Sequence, residues 1–184
     1  SRQGFYGIKT QIMANVEREL ARKIIEHTHT NLFLTGRAGT GKTTFLRQLR
    51  EQTHKRMVVL APTGIAAINA NGVTIHSFFQ LPFAPYVPNS TFKTEGIFRV
   101  SKEKQRILRT LDLLVIDEIS MVRADLLDAV DTMLRHFRYR ANEPFGGVQV
   151  VYIGDMYQLS PVVPDEERQL LSQFYEGPYF FQSK

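Results

Sequence analysis

The chain has 184 residues, 43% of them hydrophobic and 22% charged, with no cysteine and a formal net charge of +5. Such a chain can bury one substantial core and is not a disordered polymer. Without cysteine it holds neither a disulfide framework nor a thiolate metal site, which suits a reducing intracellular compartment such as cytoplasm or nucleus; no apolar run approaches the ~20 residues of a membrane-spanning helix, and the mild basic excess permits an anionic partner without demanding one.

Residues 1–12 carry no apolar core of a signal peptide and read as a leader ahead of Met13, with the folded lobe over 13–184. Val16, Leu20 and Ile24, with Ala21 and Ile25, share one helical face, and Leu32-Phe33-Leu34 is a short apolar strand. After it comes Gly36-Arg37-Ala38-Gly39-Thr40-Gly41-Lys42-Thr43, then Thr44 to Leu49 with helical apolar spacing. Met57 to Ala61 is a second strand, broken by Pro62-Thr63-Gly64; Ile65 to Ile68 is a short helix, and Asn71-Gly72 a turn. Leu81 to Thr94 carries Pro82, Pro85 and Pro88 among Phe83, Tyr86 and Phe92, an exposed irregular loop of the kind that carries function. Ser101 to Thr110 is a basic helix, and Leu113 to Ile116 a third strand ending in Asp117-Glu118. A helix follows over Arg123 to Arg138, with Leu126, Leu127, Val130 and Leu134 inward and Asp125, Asp128 and Asp131 outward. Val148 to Ile153 is a fourth strand, and Asp165 to Tyr175 a last helix. Continuous apolar strands alternating with helices predict an α/β fold, a parallel sheet covered on both faces. Ligands in such sheets bind beyond the carboxyl ends of the strands.

The strand, glycine-rich turn and helix at 32–49 have the order and spacing of a P-loop. Glycines let consecutive backbone N–H groups turn toward an anion, and the helix that follows points its positive end at the same place. Lys42 would reach the outer phosphates and the Thr43 hydroxyl would hold Mg²⁺. Asp117 would hold the same ion, and Glu118 would orient or deprotonate the attacking water. Gln158, within Gly154-Asp155-Met156-Tyr157-Gln158-Leu159-Ser160-Pro161, could sense the γ-phosphate, or be an ordinary loop glutamine. Thr63 and Ser77 hydroxyls suit phosphate-backbone contacts. His76 or Phe78 could stack on a base, although a core aromatic at Phe78 and a capped turn at His76 explain them as well.

Taken together, these stretches resemble the Pif-one family of DNA helicases, in superfamily one, subclass B. Gly36 to Thr43 looks like family motif I, Ala61 to Ala67 like motif Ia, and Thr74 to Phe79 like the motif that follows it. Val115 to Met121 looks like motif II and Gly154 to Val162 like motif III. The stretch from Leu126-Leu127-Asp128 to Pro144-Phe145-Gly146-Gly147-Val148-Gln149 resembles the segment that marks this family against RecD-type helicases. The resemblance implies a RecA-like P-loop NTPase lobe that hydrolyses ATP with Mg²⁺. It implies a monomeric motor moving 5′-to-3′ on single-stranded DNA and opening forked duplex DNA, with DNA repair, recombination and telomere maintenance as settings. It implies nucleotide contacts from Gly36, Arg37, Ala38, Gly39, Thr40, Gly41, Lys42, Thr43, Thr44 and Gln158. Lys42, Glu118 and Gln158 would be catalytic, and Thr43 and Asp117 would be metal ligands. Pro62, Thr63, Gly64, His76, Ser77 and Phe78 would contact DNA.

Three features depart from the family pattern. Glu19 stands near the place of a glutamine that reads adenine, and Ser160 stands where a proline is usual. The second lobe, with its arginine-bearing motifs, is not met before Lys184, so the chain reads as the first ATPase lobe of a longer helicase. A stand-alone P-loop ATPase or kinase is the rival enzyme, but it would carry lid arginines after motif III, where Arg168 alone follows. A nucleotide-gated DNA-binding module without catalysis is the rival from another class, and Lys42, Asp117 and Glu118 argue against it.

Overall fold

A computed structural model of the chain describes residues 8–11, 15–35, 41–87 and 99–155. The strands are β1 (Ile8–Gln11), β2 (Leu32–Thr35), β3 (Met57–Ala61), β4 (Val73–Thr74), β5 (Leu113–Ile116) and β6 (Gln149–Ile153). The helices are α1 (Asn15–His27), α2 (Lys42–Gln52), α3 (Gly64–Asn69), α4 (Ile75–Phe79), α5 (Lys102–Thr110) and α6 (Ala124–Phe137). The six strands form one sheet in the order β1-β2-β6-β5-β3-β4. Every pairing is parallel.

Each central strand divides its residues between two cores by the two-residue period of an extended chain. Leu32 and Leu34 of β2, Leu113 and Val115 of β5, and Val151 and Ile153 of β6 pack with Ala21, Ile25, Phe45, Leu46 and Leu49 from α1 and α2. The intervening Phe33, Leu114, Ile116, Val150 and Tyr152 pack with Ile75, Phe79, Leu108, Val130, Met133 and Leu134 from α4, α5 and α6. Both faces are therefore covered, as the unbroken apolar runs predict. The fold is an α/β, RecA-like P-loop architecture. The carboxyl ends of β2, β3, β5 and β6 open on one edge, where α2, α3 and the segments after Asp117 and Gly154 begin.

The structure corrects several expectations. Leu20, placed on the inward face of α1, is 51% exposed, and the buried stripe is Ala21 and Ile25. Asp125 and Asp128, expected outward, are 3% and 6% exposed. Asp125 accepts the Tyr86 N–H at 3.0 Å and pairs with Arg123 at 2.8 Å, so it anchors the proline-rich segment to α6. Asp131 is half-buried, paired with Arg135 and accepting the Phe145 N–H at 2.6 Å. Helical periodicity misassigns these aspartates because the chain folds back over that face of α6. The strand β1 falls within the expected leader and lies along β2. The expected helix over 165–175 and the part of the irregular loop over 88–94 lie outside the described residues.

Candidate active site

The active-site edge is built first by helix α2. Its N-cap is Gly41, at φ 87°, with no capping side chain and no acidic residue in the first turn. By contrast Thr63, Thr74 and Ser101 each accept a backbone N–H from the helix they cap, at 3.2, 3.2 and 3.1 Å. The bare start of α2 leaves its first N–H groups and its positive end for an external anion. Left-handed φ suits glycine there. A methyl group on Gly41 would also sit 2.8 Å from Nη1 of Arg18, so the α1 guanidinium lies directly against this turn.

Lys42, the first residue of α2, reaches across to the end of β5. Its Nζ lies 2.9 Å from Glu118 Oε1 and 3.1 Å from Asp117 Oδ1. Asp117 is 2% exposed, and its backbone N–H donates to Leu60 O at 2.8 Å, which extends the β3–β5 ladder and fixes its position. Asp117 Oδ1 also accepts the Glu118 N–H at 2.9 Å. Glu118 has φ 52° and ψ 46°, a left-handed conformation for a residue with a side chain. Such a conformation costs on the order of 1–3 kcal/mol and persists where the surroundings demand it; here it accompanies the Glu118 carboxylate's contact with Lys42. Burial works against the Lys42 ammonium, yet the Glu118 hydrogen bond and both carboxylates outweigh it and hold the amine above its ordinary value. Burial pushes the Asp117 carboxyl up, more than Lys42 and the Glu118 N–H pull it down.

The arrangement is a cation clamped by two carboxylates beside an uncapped helix. Such a clamp is chemically able to exchange, because anionic phosphate oxygens can compete with the two carboxylates for an ammonium. Asp117 and the exposed Thr43 hydroxyl are hard oxygen donors of the type that Mg²⁺ takes. Thr44, the next residue of α2, is half-buried. The end of β6 joins the same edge: Gly154 N–H donates to Leu34 O at 3.1 Å. A methyl group on Gly154 would lie 2.9 Å from Cγ2 of Ile119, so glycine lets the start of motif III pack against the turn after Glu118.

The expected DNA contacts divide. Thr63 and Ser77 are exposed and Pro62 half-buried, and around Gly64 there is open space. His76 is half-buried and stacks on Phe83, with ring centroids 4.7 Å apart and planes 16° from parallel. Burial and nearby Arg123 lower its pKa, against the pull of Asp125. Phe78 is corrected: it is 7% exposed, edge-on to Phe79 at 5.0 Å and covered by Lys104 Nζ at 4.0 Å. It is a core aromatic, and the ring left open beside His76 is Phe83, 88% exposed. Glu19, the residue near the adenine-reading position, is paired with Arg22 at 2.6 Å on an exposed face of α1. Gly36, Arg37, Ala38, Gly39, Thr40, Gln158, Ser160 and Arg168 lie outside the described residues. Arg18 escaped sequence reasoning. The available signal was its spacing of three and seven residues before Ala21 and Ile25, which sets it on the buried stripe of α1.

The PIF1-like helicase family profile matches residues 11–176. The ATP-dependent DNA helicase PIF1 of Saccharomyces cerevisiae is 37% identical over 166 residues, which span 88% of this chain and 19% of that protein. A solved structure of two coordinating Pif1 helicases at forked double-stranded DNA is 48% identical, with TM-score 0.85 over 93% of this chain and 40% of that one. The Pif1 helicase of Bacteroides with ADP-AlF3 and single-stranded DNA is 48% identical, with TM-score 0.82 over 91% of this chain and 38% of that one. The chain thus spans about a fifth of the yeast relative's length.

Proposed function

Because the chain belongs to the PIF1-like helicase family, we propose that it is the ATP-hydrolysing lobe of a DNA helicase that moves 5′-to-3′ on single-stranded DNA and opens forked duplexes. The observation that carries the reading is Lys42 clamped between Asp117 and Glu118 beside the uncapped start of α2. Lys42 exchanges its carboxylates for the outer phosphates of ATP. Asp117, with Thr43, would hold Mg²⁺, which would supply positive charge to offset that of the phosphates. Glu118, released from Lys42, orients the attacking water and accepts its proton. Gln158 senses the γ-phosphate. Thr63, Ser77 and the backbone at Pro62 and Gly64 hold the DNA phosphates, and His76 with Phe83 offers a stacking surface for a base. DNA repair, recombination and telomere maintenance are the settings proposed for this motor on family resemblance.

The test is steady-state ATP hydrolysis by the full-length protein with and without single-stranded DNA, beside unwinding of a forked duplex. DNA-stimulated turnover and unwinding are expected. Turnover indifferent to DNA would reject the motor reading and favour a stand-alone ATPase. The motor is proposed to act as one copy, which light scattering of the DNA complex checks; a two-copy mass would reject that part.

A further inference from the structure

We propose that Arg18 is a nucleotide-binding residue whose guanidinium, set by α1 against Gly41 at the start of α2, takes part of the negative charge of the bound polyphosphate. The inference rests on the reading of the α2 start as a nucleotide site and adds a contact from outside the loop. Three observations carry it. First, Arg18 Nη1 lies 2.8 Å from where a Cβ on Gly41 would be, so it touches the residue immediately before Lys42. Second, its position follows from packing. Ala21 and Ile25 are 2% and 0% exposed in the core shared with Phe45, Leu46 and Leu49 of α2. Arg18 extends that stripe by one turn toward the helix N-terminus, which puts it beside the beginning of α2. Third, the neighbouring Glu19 is drawn away, paired with Arg22 at 2.6 Å on the exposed side. Glu19 thus leaves Arg18 as the side chain of the two that the structure sets against Gly41.

The chemistry suits the place. A guanidinium is planar, permanently charged and matched to phosphate oxygens by its forked N–H donors. Lys42 supplies a point charge to the same ligand from the helix side. Arg18 would supply a second from α1, beside Gly41, and would do so without a residue from another lobe or subunit. Gly41, having no side chain, is what lets the guanidinium approach the turn so closely.

The experiment is titration of ATP, ADP and adenosine into the full-length wild type, Arg18→Met, which keeps the apolar stem, and Arg18→Lys, which keeps the charge. Arg18→Met is expected to weaken ATP and ADP on the order of 10-fold, as loss of a charge-assisted hydrogen bond does. Adenosine affinity and single-stranded DNA affinity should stay unchanged, and Arg18→Lys should recover part of the loss. These readouts would not move together if Arg18 only braced the fold. Wild-type ATP affinity in Arg18→Met overturns the proposal. So does an equal loss for adenosine, which would place the guanidinium on the base. If the wild type itself binds no ATP, or Lys42→Ala binds as tightly as wild type, the phosphate-loop reading fails instead, and the two failures are told apart.

Discussion

Two lysines bracket α2, and they are held in opposite ways. Lys42, at the carboxyl edge of the sheet, is gripped by the carboxylates of Asp117 and Glu118. Lys55, at the opposite edge, donates to Ile25 O, to Thr28 O at 2.7 Å and to Gln149 Oε1 at 2.7 Å. Burial lowers the Lys55 pKa despite Glu26 and Asp112, whereas Lys42 is held above its ordinary value. The difference separates the cation proposed to work on the nucleotide from a structural one. Carboxylates can be traded for phosphate oxygens of like sign of charge, which is the exchange proposed for the Lys42 clamp. Neutral carbonyls at the C-terminal end of α1 carry no charge to trade for phosphate, and Lys55 ties them to Gln149 of β6. Arg138 belongs to the second kind, donating to the carbonyls of Leu108, Leu111 and Gly146 at 2.8, 2.7 and 2.7 Å.

The largest expected break is at the working edge. Lys42→Ala in the full-length protein should lower ATP turnover by at least about 10²-fold, as removal of a transition-state donor does. Wild-type turnover at saturating ATP would contradict the role given to Lys42. Glu118→Gln should separate the two carboxylates: nucleotide titration stays near wild type while hydrolysis falls on the order of 10²–10⁴. If binding is lost along with hydrolysis, Glu118 has a different job.

Lys55→Met should do the reverse. It strands the carbonyls of Ile25 and Thr28, which costs about 1–3 kcal/mol of unfolding free energy. ATP affinity should stay unchanged. Chemical denaturation beside nucleotide titration checks this, and a loss confined to ATP affinity would erase the contrast between the two edges.

The smallest effect is a pH dependence at the structural edge. Burial pushes the Glu26 carboxyl up, but hydrogen bonds from the Thr53 hydroxyl and from His54 outweigh it and bring the group down to about 2. These bonds, at 2.7, 3.0 and 2.8 Å, tie α1 to the segment after α2. A carboxyl depressed in the folded state contributes stability above its ordinary value of 4.5, and that contribution fades as pH falls from there toward 2. Melting temperature should drop over this window, and Glu26→Gln should flatten part of the drop. An identical acid limb in the variant would assign the acid sensitivity to other carboxyls.

The local chain determined most of the architecture. The four central strands follow from short apolar runs, because two-residue alternation between buried faces is a property of the extended backbone itself. The phosphate loop, Asp117-Glu118 and Gly154-Asp155 were placed at carboxyl ends by their position after those runs. Hydroxyl caps at Thr63, Thr74 and Ser101 were equally local. What tertiary structure decided depends on residues far apart in sequence. Burial of Asp125 requires Tyr86 to come over it, and the left-handed Glu118 acquires its meaning from Lys42 in another element. Phe78 and Phe83 are the same residue type, yet packing against Phe79 and Lys104 buries one and leaves the other open. Arg18 meets Gly41 because Ala21 and Ile25 dock α1 onto the core shared with α2. Periodicity tells which face of a helix is apolar, but the neighbour that face will meet is set by the three-dimensional packing.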